Sequence, residues 1–113
     1  MAVPVTNPYS ADLPRLQRPD GTPLRALVVD DEPLLADLVR IGLRMAGWET
    51  SVVHDGESAV SRAREFQPDV LVLDVMLPGY DGMEVLRRIR TFLPGVPALF
   101  LTARDEVEDR IMG

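Results

Sequence analysis

The sequence predicts an α/β domain, a parallel sheet wound on both faces by helices, and three observations lead there. Leu27-Val28-Val29 and Val70-Leu71-Val72-Leu73 are short aliphatic runs with no internal polar position. Such runs read as strands buried on both faces, and those strands belong to parallel sheets sandwiched by helices. Each run also ends in carboxylates, Asp30-Asp31-Glu32 after the first and Asp74 after the second. Between the runs the apolar spacing becomes helical, so strands and helices alternate, which implies right-handed crossovers.

Residues 1–24 hold half of the 10 prolines among Thr, Asn, Ser and Asp, without sustained periodicity, and are expected to form an extended or disordered arm. The domain is expected over residues 25–113. Arg25–Val29 is the first strand. Asp31-Glu32-Pro33 opens a helix, with acids at the positive end of the dipole and Pro in the first turn. Leu34, Leu35, Leu38, Ile41 and Met45 recur at helical spacing, and Gly47 stops the helix. Trp48–Val53 is a second, weaker strand, with the polar interruptions of a sheet edge.

Asp55-Gly56 turns the chain into a helix over Glu57–Phe66 with Ala59, Val60, Ala63 and Phe66 inward. Pro68-Asp69 restarts it into the third strand. Pro78-Gly79-Tyr80-Asp81-Gly82 is a loop dense in turn formers. Met83–Phe92 is a third helix with Val85, Leu86 and Ile89 inward and Arg87, Arg88 and Arg90 outward. Pro94-Gly95 breaks it, Val96–Leu101 is a fourth strand ending at Thr102-Ala103, and Arg104–Met112 starts a further helix.

With 113 residues there is room for one domain and a modest core. The formal charge of -6 without a basic stripe argues against nucleic-acid binding by this segment. All 12 basic residues are Arg. The absence of Cys excludes disulfides, thiolate zinc sites and cysteine nucleophiles. No segment approaches the ~18 apolar residues of a membrane span, so a soluble cytoplasmic protein is expected.

The chemistry lies in the carboxylates. In an open α/β sheet, ligands bind at the C-terminal edge of the strands. If the two aliphatic strands are neighbours, Asp30, Asp31 and Asp74 converge in one cleft there. Three clustered carboxylates repel, so they either raise a pKa or hold a hard cation with oxygen ligands. The competing readings are ordinary ones. Asp31 and Glu32 could cap a helix, Asp81 could shape a turn, and Thr102 could merely end a strand. His54, the sole histidine, has no second ligand candidate beside it and reads as a solvated loop residue.

Val28-Val29-Asp30-Asp31-Glu32-Pro33, Leu73-Asp74-Val75-Met76-Leu77-Pro78-Gly79-Tyr80-Asp81-Gly82 and Leu101-Thr102-Ala103 together resemble the receiver domain of two-component response regulators. The resemblance implies a flavodoxin-like fold with strand order 2-1-3-4. It implies Asp74 as the acceptor of a phosphoryl group from a phosphohistidine on a sensor histidine kinase. Asp31 and Asp74 would ligate Mg²⁺ directly, Asp30 through water, and the Met76 backbone carbonyl would complete the protein share. Thr102 would contact a phosphoryl oxygen and report phosphorylation. The residues two after the acceptor and two after the Thr, here Met76 and Arg104, would control the approach of water to the acyl phosphate.

Receivers also carry a Lys after a fifth strand, and a fifth helix. This sequence has no Lys and ends at Gly113, so it is expected to be a fragment or a truncated product, and the alternative to a phosphoacceptor is a phosphorylation-silent truncated receiver acting as an interaction module. The uncovered Val96–Leu101 edge would favour pairing with a second copy, a homodimer. Met83–Arg90 and the segment from Glu106 to Gly113 most resemble the OmpR/PhoB-type subfamily, in which DNA is reached through an output domain absent here. A hydrolase with an Asp nucleophile of the haloacid-dehalogenase kind would need a second Asp at position 76, which is Met. The expectation is therefore a stoichiometric phosphoacceptor rather than an enzyme.

Overall fold

The structure, a computed structural model, describes residues 17–101. Its elements are β1 (Arg25–Val29), α1 (Pro33–Met45), β2 (Glu49–Val53), α2 (Gly56–Phe66), β3 (Val70–Leu73), α3 (Gly82–Ile89) and β4 (Ala98–Phe100). All strand pairs are parallel, in the order β2-β1-β3-β4. The predicted sheet and order are thus present, with β2 at one edge. Thr102 and the helix expected over Arg104–Met112 lie outside the described residues.

β1 and β3 occupy the centre because beyond Arg25, the partly exposed first residue of β1, they are wholly apolar: Ala26, Leu27, Val28, Val29, Leu71 and Leu73 are all fully buried. The larger core lies on the face covered by α2 and α3. There Leu27, Val29, Leu71 and Leu73 meet Ala59, Ala63, Val85, Leu86 and Ile89. The opposite face is thinner, with Val28 and Val72 under Ala36, Val39 and Leu43 of α1.

Helix α1 departs from the expected pattern. The conspicuous stripe of Leu34, Leu38, Ile41 and Met45 faces solvent, and the sheet is met by Ala36, Val39 and Leu43. Both faces of this helix are apolar, so periodicity alone selects the bulkier one. α3 ends at Ile89 rather than Phe92. After it, the Arg90 guanidinium donates to the Val96 carbonyl at 2.9 and 3.1 Å, closing the Pro94-Gly95 turn, and β4 begins only at Ala98.

Residues 17–24, part of the expected arm, form a tight turn. Arg18 N donates to Thr22 O, Gln17 bridges Pro23, and Arg18 lies 3.8 Å from the Asp69 carboxylate.

On α3, Glu84 accepts from Arg87 Nε at 3.0 Å and Arg88 Nε at 2.8 Å. The Arg87 hydrogen bond, aided by Arg88, holds the Glu84 carboxyl down at about 2 against its ordinary 4.5. Because the folded value is depressed, the stabilisation is present above pH 4.5 and is lost as pH falls toward about 2. Glu84→Gln should flatten the loss of urea resistance across that window, by a small amount because the group is exposed and screened. An unchanged acid slope in the variant would show that the pair contributes nothing.

Candidate functional site

Parallel pairing of β1 with β3 sets Val29 beside Leu73, so the next residues, Asp30 and Asp74, leave the sheet side by side. Asp74 N donates to Val29 O at 2.9 Å, and Asp30 N to Val53 O at 3.1 Å, carrying the ladder just past the strand ends. Asp31 follows directly. One carboxylate oxygen from each of Asp30, Asp31 and Asp74 lies within 4.8 Å of the others.

Asp30 is the fully buried member. Its Oδ1 accepts from Glu32 N at 2.9 Å, while its Oδ2 is buried without a hydrogen-bond partner among the described residues. Burial pushes the Asp30 carboxyl above the usual range. The Glu32 amide opposes that shift, and the charges of Asp74 and Asp31 reinforce it. A buried, partnerless carboxylate oxygen beside two further carboxylates is accommodated either by a proton or by a bound cation.

The donor set fits Mg²⁺. This ion takes hard oxygen ligands at about 2.1 Å, so two ligands on opposite sides of it stand about 4.2 Å apart. Spacings within 4.8 Å therefore need only small side-chain adjustments to close on such an ion. The capping alternative for the first acidic group finds no support at Glu32, the N-cap of α1, which makes no side-chain cap bond. Capping is done elsewhere, by Asp55 on Ser58 N and by Asp81 on Glu84 N.

Met76 lies beside the cluster, its N–H donating to Asp74 Oδ1 at 3.1 Å, and is partly exposed. Thr102 is outside the described residues. Two contacts at the site were not foreseen from sequence. Gly82 N donates to Val75 O at 2.8 Å, and a Cβ at position 82 would stand 2.3 Å from Asp74 O. The start of α3 therefore rests directly on the Asp74 backbone. His54 Nδ1 stands 2.8 Å from Asp30 O. A carbonyl can only accept, so Nδ1 carries the proton. The signal for both was positional: His54 follows Val53, the partner of Val29, and Gly82 follows the capping Asp81.

No helix among the described residues is long and apolar enough to cross a membrane.

The family model of the response regulator receiver domain matches residues 26–113. The transcriptional regulatory protein TrcR of Mycobacterium tuberculosis is 54% identical over 101 residues, covering 89% of this chain and 39% of TrcR. The DNA-binding response regulator MtrA of Mycolicibacterium smegmatis is 45% identical over 89 residues, 79% of this chain and 39% of MtrA. The chain thus spans about two-fifths of the length of these relatives. Among solved structures, a putative response regulator from Chloroflexus aurantiacus superposes with a TM-score of 0.71 at 36% identity, over 81% of this chain and 77% of that one. The chemotaxis protein CheY4 of Vibrio cholerae gives 0.67 at 26% identity, over 81% and 82%. Matched by the family model over most of its length and by the fold of solved response regulators, the chain belongs to the response regulator receiver domain family.

Proposed function

We propose that this chain is the phosphoacceptor part of a transcriptional response regulator, taking a phosphoryl group from a sensor histidine kinase onto Asp74. The observation that carries the reading is the convergence of Asp30, Asp31 and Asp74 at the C-terminal edge of β1 and β3, with Asp30 Oδ2 buried and unpartnered. Asp30, Asp31 and Asp74 would hold Mg²⁺, with the Met76 carbonyl as a further oxygen. The ion supplies neutralisation of the charge on the transferring phosphoryl group.

The chain's own residues do the rest. An Asp74 carboxylate oxygen attacks phosphorus, the P–N bond of the kinase phosphohistidine breaks, and its electron pair returns to the imidazole, leaving an acyl phosphate. The Met76 amide on Oδ1 and the Gly82 contact behind the backbone limit how Asp74 can turn, so the nucleophile is positioned before the donor arrives. One phosphoryl group per chain is taken up, so the protein acts as a stoichiometric acceptor rather than a turnover enzyme. Control of DNA would pass through an output region of the kind present in its relatives, and the protein would work in the cytoplasm.

Incubation of the chain with a small phosphoramidate and Mg²⁺ should add one phosphoryl group by mass, and Asp74→Asn should add none. Uptake by Asp74→Asn equal to wild type would place the acceptor elsewhere. The acyl phosphate should be long-lived, because a thioether at position 76 neither orients nor deprotonates water. Met76→Asn should therefore speed its decay, and an equal or slower rate would reject that role for Met76.

A further inference from the structure

β1 and β2 run parallel with Val29 opposite Val53, so continuing the register sets Asp30 opposite His54. In a parallel ladder, a residue's N–H and C=O bond to the two residues flanking its opposite number. The first of these bonds is made: Asp30 N donates to Val53 O. The second would come from Asp55 N to Asp30 O. Asp55, however, has already turned away to become the N-cap of α2, with its carboxylate on Ser58 N and Oγ. The His54 imidazole fills the vacant place, donating from Nδ1 to Asp30 O at 2.8 Å. A side chain thus completes the ladder at the residue that brings the one fully buried carboxylate into the acidic cluster.

We propose that His54 is a positioning residue for the cation site: its Nδ1–H, by holding the Asp30 carbonyl, keeps the Asp30 carboxylate within reach of those of Asp31 and Asp74. The inference rests on the Mg²⁺-binding reading above. His54 is not itself a ligand in this role, since the cluster of potential ligands holds only Asp30, Asp31 and Asp74 among the described residues. It acts through the backbone of Asp30, as outer partners of metal ligands commonly act to orient them. The neighbouring Asp30 N–H bond cannot substitute, because it constrains only the preceding peptide plane. The carbonyl lies on the following one, which leads into Asp31.

The test uses the 113-residue chain and Mg²⁺ alone, followed by backbone amide shifts at Asp30, Asp31 and Asp74, with urea midpoints measured in parallel. Asn places its amide nitrogen as many bonds from Cα as Nδ1 of His, whereas Gln places it one bond further. His54→Ala and His54→Gln should weaken Mg²⁺ binding about 10-fold, the low end of losses at such outer positions, and His54→Asn should restore affinity close to wild type. Stability alone cannot produce that ordering if the Asn and Gln variants melt alike. Equal Mg²⁺ affinity in wild type, Ala and Gln variants would overturn the role of His54 while leaving the cation site standing. No Mg²⁺ binding by the wild-type chain would overturn the cation site and this inference with it. Should His54→Ala fail to fold, the Asn and Gln pair decides, and Gln binding as tightly as Asn would reject the proposal.

Discussion

Gly82→Ala should unfold or displace the loop that carries Asp74, while the same substitution at Gly42 should stabilise the protein. A methyl group at position 82 would meet Asp74 O at 2.3 Å and the Asp74 carbonyl carbon and Val75 Cα at 3.1 Å. These are backbone atoms, so no rotamer change relieves the clash. Gly82 is also tied to Val75 O at 2.8 Å, so relief requires α3 to separate from the segment that follows β3 and carries Asp74. Overpacking against a rigid neighbour costs about 1–3 kcal/mol and more where the backbone must move. The gain in helix propensity is at most about 1 kcal/mol, so the clash wins. At Gly42, within exposed α1, an added Cβ meets nothing within 4 Å, and only the propensity gain of about 1 kcal/mol remains. Urea melts of the two variants should shift in opposite directions. Gly82→Ala should also lose the Mg²⁺ response at Asp74, which a merely less stable but intact domain would keep. A Gly82→Ala melt within error of wild type would mean that α3 does not press on Asp74 as described.

The central strands and the acidic edge were legible in the sequence because they obey local rules. A run such as Val70-Leu71-Val72-Leu73 has no polar group to expose, and a carboxylate at its end must leave the sheet at the C-terminal edge. Asp55 and Asp81 read as turn residues ahead of helices, and each also proved to cap the helix that follows. What was not legible depends on pairing. The inward face of α1 was hidden because Leu34, Leu38, Ile41 and Met45 outweigh Ala36, Val39 and Leu43 in bulk, and only the sheet decides between them. His54 is the exposed loop residue the sequence suggested, but its bond to Asp30 O was hidden because that partner lies 24 positions away in sequence and is reached only once β1 and β2 are in register. Gly82 read as one more turn former because the atom it must avoid, Asp74 O, belongs to another element.

Asp30→Asn should make the metal-free protein more stable and the Mg²⁺-bound protein less so. The exchange preserves shape, and the Asn Oδ1 can still accept from Glu32 N, as the Asp30 Oδ1 does at 2.9 Å. What changes is the second oxygen, now buried without a partner. An amide nitrogen in its place carries no charge and has the Asp31 and Asp74 carboxylates nearby as acceptors. Burial, more than the neighbouring carboxylates, raises the Asp30 carboxyl, so removing the charge should recover about 1–3 kcal/mol, the scale of a buried unsatisfied polar group. The raised folded value sets the sign of the pH dependence. The advantage of Asn should be absent well below the ordinary carboxyl value of 3.8, where both folded and unfolded Asp30 hold the proton, and should grow as pH rises through the folded value. Mg²⁺ reverses the order by binding only the wild-type folded state tightly; at about 100 times Kd it adds about 2.7 kcal/mol. Urea melts in chelator and in excess Mg²⁺ should therefore cross, Asn above Asp in the first and below it in the second. A wild-type chain more stable than Asp30→Asn in chelator would show that the three carboxylates are not in conflict, and the physical argument for a cation at this edge would fail with it.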